Sequence, residues 1–477
     1  MNEGQIYWNS LAMHGGATLF IAKNNGVKSL YVFGGGEAFN ALEGEAVTLP
    51  GGEAKRCPLN NANAAAIRRL FPFANPERHK GRAFTLGLGD RLGLASAGHL
   101  RLIRDMDVFP VLAQQSIREL NLTGRTYDDV LSAAVWAVFQ EGYRKGWGAD
   151  GDHLKTAAEV GMALDCGFTM ITLDCSEHIR NDLAALPDAE LWPRYNLLDA
   201  AERASLEAAY LGKTFPLEGG GELTFSPPEL RRIVLVYLNA VKFAADVYNT
   251  LLRGKDADFE LSIDETLTAT SPQAHYFAAN ELLEAGAAPV SVAPRFCGEF
   301  QKGIDYRGDP VEFEREFSVH AGVARTLGHK LSIHSGSDKF SVFPIIYRET
   351  GGNVHVKTAG TNWLEAVRVI ARARPELFRE VFRFALNNLP EAKKYYHITE
   401  NAANIPDIDA LGDAELPALL DQDDARQAVH VTYGLILSAK NQDGSPKFKE
   451  AIYAALNERE DEYYAALAER IGRHLPR

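Results

Sequence analysis

Three short segments of this sequence gather residue types that bind cations or move protons. The first is GADGDHLK, residues 148–155, where Asp152 and His153 are adjacent. On an extended backbone their side chains point to opposite faces, whereas a turn lets both reach one pocket. An imidazole suits zinc, nickel, cobalt or manganese, and a nearby carboxylate serves as ligand or base. The structural alternative is an Asx-type turn carrying an exposed histidine. The second segment is SIHSGSDKF, residues 332–340. His334 closes a β-rich run, the Ser/Gly backbone after it can offer N–H groups to an oxyanion, and Asp338 and Lys339 follow. This reads as a ligand-plus-substrate loop, against a plain turn in which the backbone satisfies His334. The third, SIDETLTATSPQAHYF (262–277), puts Asp264 and Glu265 before a helix expected to start near Ser271-Pro272. That pair offers a general acid or base, or else a salt bridge at a barrel rim. His275 within that helix, and His320 on EFEREFSVHAGVART, read as packing or surface residues rather than ligands.

Such groups act together only if the fold brings them together. From about residue 83 short β-rich runs alternate with helical stretches. The runs are AFTLGLGD, DVFPVLAQ, a short one near WGADGDHL, FTMITLDC, FELSIDE, PVSVAPRF, HKLSIHSG and NVHVKTAG, with YYHIT (395–399) as a ninth candidate. Several are continuously apolar and end in polar residues, as parallel strands covered on both faces do. The alternation predicts an α/β protein, a (β/α)8 TIM-type barrel. It carries an N-terminal α/β extension (1–80) before the barrel (81–400) and a C-terminal helical extension (401–477). Function in such barrels sits at the C-terminal ends of the strands. Arg91, Arg295 and Lys357 therefore join the three segments at one mouth, as candidates with Asp338 and Lys339 for holding substrate. GLGDRLG (87–93) has the spacing G-x-G-x-x-x-G and does not match a dinucleotide fingerprint.

Composition narrows the partners. A net charge of −13 argues against nucleic acid, so any anionic substrate must be drawn in by local cations. The four cysteines are scattered with no C-x-x-C pair, which suits a reducing compartment and argues against a thiolate zinc site. The N-terminus lacks a basic segment followed by an apolar core, and no apolar run reaches membrane-spanning length. A cytoplasmic protein without a membrane partner is expected, and a homo-oligomer is compatible with these features.

Several longer stretches resemble the tagaturonate epimerase family, the tagaturonate/fructuronate epimerases, some of which also interconvert tagatose and fructose. The matching stretches are GLGDRLGLASAGH, GADGDHLKT, SIDET with SPQAHYFAANEL, SVAPRFCGEFQKGIDYRGD, KLSIHSGSDKFSVFPI and HVKTAGTNWLEAVRVIA, in the same order over roughly residues 85–370. The resemblance implies a sugar or sugar-acid substrate, one divalent cation (zinc, nickel, cobalt or manganese) and inversion of one hydroxyl-bearing carbon. By position it implies an acid/base pair at Asp152 and Glu265. It also implies metal ligands at His153 and His334, with a third from the loop after SVAPRF, Gln301 in preference to Glu299.

The chemistry so implied is demanding. The inverted carbon lies β to the ketone, so its C–H is not acidic and enolisation cannot epimerise it. Retro-aldol cleavage of the neighbouring C–C bond, rotation of the aldehyde and re-addition can. That route requires a Lewis acid at the ketone oxygen and a carboxylate on each side to move protons. Two other readings compete. One is a metal-dependent sugar-phosphate aldolase or isomerase, since HSGSDK and KTAGT lie where barrels hold phosphate. The other is a non-catalytic sugar-binding barrel.

Overall fold

A computed structural model describes residues 5–79 and 81–476. Residues 1–4, where the reading of the N-terminus begins, lie outside them. The chain opens with a five-stranded antiparallel sheet, formed by β1 (Gln5–His14), β2 (Ala17–Asn24), β3 (Val27–Gly34), β4 (Glu45–Leu49) and β5 (Gly52–Pro58) in the order β1-β2-β3-β5-β4. The pair β2 and β3 is joined by Asn25-Gly26, both at positive φ, the two-residue turn whose twist matches a hairpin. The stretch 49–63, rich in Gly, Pro and Asn, contains β5 and then Asn60, whose side chain caps the helix Asn61–Leu70.

Eight parallel strands then close into a barrel. They are β6 (Phe84–Gly87), β7 (Phe109–Gln115), β8 (Gly148–Leu154), β9 (Met170–Asp174), β12 (Asp258–Ile263), β13 (Ser291–Pro294), β14 (Lys330–Ile333) and β15 (Val354–Lys357); β15 pairs with β6 to complete the ring. A small hairpin, β10 (Thr214–Pro216) with β11 (Glu222–Thr224), lies in the long connection between β9 and β12. These eight are the eight β-rich runs of the sequence. The ninth candidate, YYHIT, is a loop. Tyr396 and Ile398 are buried while their neighbours are exposed, so the alternation records one side lying on the protein, without strand pairing.

Every residue of seven barrel strands is buried, and β8 departs from this only at Asp152 and His153. There the pairing of β8 with β9 shifts register between Gly151 and Leu154, and His153 takes φ 50°. A capping box from Thr156 and Glu159 starts the next helix at Ala157 and anchors the far side of this bend. The C-terminal helices fold back onto the barrel. Glu460 accepts hydrogen bonds from Tyr7, Lys23 and Lys28 of the N-terminal sheet, tying both ends of the chain together. All four cysteines are unpaired, and no helix among the described residues is long and apolar enough to cross a membrane.

Candidate active site

The bend in β8 has a direct chemical result. A left-handed residue within a bulge turns Asp152 and His153 toward the same cavity instead of opposite faces. His334 at the end of β14 meets them, its ring edge-on to His153 with centroids 4.8 Å apart. His334 is clamped by two carboxylates, with Nε2 2.8 Å from Glu260 and Nδ1 3.1 Å from Asp264. Single ligand atoms of His153, His334 and Asp264 all lie within 4.8 Å of one another, and His153, Asp174 and Glu265 form a second such group.

A cation fits this cluster. His153 Nδ1 and Asp174 Oδ2 lie 3.5 Å apart, both buried and both without a hydrogen-bond partner. Buried polar atoms are rarely left so, because an unmade bond costs about 1–3 kcal/mol. The field around them is negative. Burial would lower the acidity range of His153, but the Asp152 charge, then Asp174, Asp264 and Glu265, raise it to about 10. The same field that draws a proton draws a divalent ion to imidazole and carboxylate donors.

Beneath the cluster the barrel interior carries a charged layer. Lys357 Nζ bonds Asp150 at 3.0 Å, Asp152 at 2.6 Å, Glu260 at 2.9 Å and the Thr172 hydroxyl at 2.7 Å. Burial favours the neutral form of Asp152, yet Lys357 and the two imidazoles hold it well below the usual carboxylate range. Asp150 goes the other way, because burial and the Asp152 and Glu260 charges outweigh Lys357 and raise it to about 6.

The cavity has two lobes that meet at His153 and His334. Asp152, Lys357, Arg91 and His430 line the inner lobe; Asp264, Glu265, Arg295 and Gln301 line the outer one. Of the two candidate acid/base carboxylates, Asp152 thus lines one lobe and Glu265 the other, with the imidazole pair common to both.

Not every residue singled out from the sequence faces this cavity. Asp338 is buried against Arg426 and Arg470, with its backbone N–H donating to His474, so it ties down the C-terminal segment instead of meeting substrate. Lys339 is spent inside the protein on the carbonyls of Gln301, Ile304 and Ser337, and burial pushes it down to about 7. Gln301 lines the outer lobe, where its Oε1 accepts from Thr399 and Gln427, and Asp264 lies within reach of the two imidazoles. Lys357 reaches the inner lobe while neutralising carboxylates, not as a free cation. Arg295 donates to the Thr266 carbonyl and holds the loop that presents Glu265. Arg91 is paired with Glu119 and stacked on Tyr433, with Nη1 left over. Asp150 and Glu260, which lie within strands, are not evident from the sequence, nor are Arg118 and Lys302. A buried acidic residue in an otherwise apolar strand is the available signal for the first two.

A closed (β/α)8 barrel with an imidazole–carboxylate cluster at its mouth defines a barrel enzyme. The family model for UxaE, tagaturonate epimerase, matches residues 7–477, and the chain belongs to this family. A tagaturonate/fructuronate epimerase of Thermotoga maritima is 43% identical over 421 residues, covering 88% of this chain and 85% of that one. The native crystal structure of fructuronate-tagaturonate epimerase UxaE from Cohnella laeviribosi superposes with a TM-score of 0.97 at 47% identity, covering 99% of this chain and 96% of that one. A glycerol complex of the same protein gives 0.96 at 48% identity, with the same coverage. The chain is accordingly an isomerase of the carbohydrate epimerase class.

Proposed function

We propose that this protein interconverts D-tagaturonate and D-fructuronate by opening and re-forming the C–C bond next to the inverted carbon. The reading rests on the flanking of the His153–His334 pair by Asp152 in one lobe and Glu265 in the other. His153, His334 and Asp264 would hold a divalent ion, whose contribution is Lewis acidity toward the ketone oxygen. The remaining work falls to the side chains. One carboxylate takes the hydroxyl proton as the C–C bond breaks, giving an aldehyde and an enolate fragment. The aldehyde turns its opposite face, the bond re-forms, and the second carboxylate protonates the inverted alkoxide. In the reverse direction the two exchange roles. Lys357 keeps Asp152 ionised and in place, and Arg295 steadies the loop of Glu265.

The test is to follow the two uronates by NMR with wild type, Asp152→Asn and Glu265→Gln. Each variant is expected to lose about 10²–10⁴ in turnover while retaining its metal content. Full activity after exhaustive chelation, or three-carbon products accumulating in place of the epimer, overturns the reading.

A further inference from the structure

Two cations of the inner lobe stand without a carboxylate at ion-pair distance. Lys357 is matched by three of them and Arg91 by Glu119. Arg118 and Lys302 line this lobe where it meets the outer one, and among the described residues neither forms an ion pair with a carboxylate. Lys302 Nζ meets only the neutral Ser335 hydroxyl, at 2.9 Å. Arg118 lies over the Tyr396 ring at 5.0 Å, and its Nε is buried with no acceptor. Arg91 Nη1 and both ring nitrogens of His430, on the same lobe, are equally without partners.

A wall of buried polar atoms left without partners is costly unless something fills the space beside it. With two cations that touch no carboxylate on this wall, an anion is the filler that suits it. Bulk electrostatics do not explain it, since the chain carries −13 overall. Guanidinium groups suit a planar group with two acceptor oxygens, and the lobe adjoins the imidazole pair where the ketone would sit.

We infer that Lys302 and Arg118, with Arg91 Nη1, bind the carboxylate of a keto-uronate and set the preference for it over the corresponding neutral ketohexose. The inference rests on the function proposed above. These residues contact a part of the substrate that does not react, so they govern specificity and not the proton transfers.

The test compares tagaturonate with tagatose, which carries a hydroxymethyl group in place of that carboxylate, in wild type, Lys302→Met, Arg118→Leu and the conservative Lys302→Arg. Melting curves and metal content confirm that each variant is folded. Wild type is expected to favour the uronate. Lys302→Met and Arg118→Leu should lower kcat/KM for tagaturonate by about 10- to 100-fold, as loss of a charged hydrogen-bond partner does, and change that for tagatose by less than about threefold. Lys302→Arg should keep most of the preference. Equal losses on both sugars, or none on the uronate, overturn the inference. Equilibrium binding of the same two sugars, by calorimetry, separates the two readings. If wild type converts neither sugar, yet binds the uronate more tightly in a way Lys302→Met abolishes, the subsite stands and the epimerase reading falls. Tighter competition by inorganic phosphate than by D-glucuronate would show a phosphate site instead and overturn the inference.

Discussion

Glu260 Oε1 accepts a hydrogen bond from His334 Nε2 at 2.8 Å, deep inside the barrel. Glu260 has no exposed surface and also accepts from the Ser291 hydroxyl and from Lys357. Burial would favour its protonated form, but Lys357 and His334 hold it well below the usual carboxylate range. A fixed anion at Nε2 holds a proton there, so Nδ1, which faces Asp264, is the nitrogen that an ion would share with that carboxylate.

Glu260→Gln is therefore expected to weaken the divalent ion about 10- to 100-fold, the usual cost of losing a carboxylate behind a ligating histidine. Titration of chelator-treated protein with zinc or manganese measures it. Affinity equal to wild type would mean that His334 is not a ligand.

Lys357 neutralises three carboxylates at once, so its removal should act first on stability. Lys357→Met leaves Asp150, Asp152 and Glu260 facing one another without a cation, and the loss is expected to be about 3–5 kcal/mol. Chemical denaturation at pH 7.5 reads it. Asp150 already stands at about 6 with the lysine present, so mild acid should protonate it in the variant and recover part of the loss. A variant as stable as wild type at neutral pH would show that the layer is not a balanced set of charges.

Gly360 packs under the His430 ring, and a Cβ there would overlap its Nε2. Gly360→Ala should push His430 into the inner lobe, cost about 1–3 kcal/mol through overpacking, and raise KM. Gly360→Ala combined with His430→Ala should regain the stability. If the single substitution is silent in both thermal melting and kinetics, His430 does not wall the lobe.

The barrel was legible because its strands are short, apolar on both faces and tipped with polar residues, a pattern few other folds require. The convergence of Asp152 and His153 was not, since it depends on a one-residue register shift in β8 and a left-handed histidine. Asp338 and Lys339 look like pocket residues in the run HSGSDK. What removes them are partners distant in sequence: Arg426 and Arg470 for one, the carbonyls of 301 and 304 for the other. Arg118 and Lys302 carry no local signal at all, and only the fold shows that neither touches a carboxylate.

His275, His320 and His329 form a chain outside the site, with Nδ1 to Nδ1 at 3.0 Å and Nε2 to Nε2 at 2.9 Å. Each contact needs one proton between two nitrogens, so three neutral rings satisfy the chain, and a charge added to it is buried away from water. The nearest carboxylate, Glu316, is 3.9 Å from His320. Burial lowers His320 and His329 from 6.5 to about 3, and His275 well below 6.5 as well. The unfolded chain therefore binds more protons than the folded one between pH 6.5 and about 3. Stability from these rings is complete above pH 6.5 and drains away as pH falls, by up to about 1.4 kcal/mol per pH unit for each ring. Urea midpoints at pH 7.5 and 5.5 should differ clearly in wild type, and His329→Gln should shrink the difference by one ring's share. A wild-type midpoint that does not move over that interval would mean that the chain accepts protons without strain.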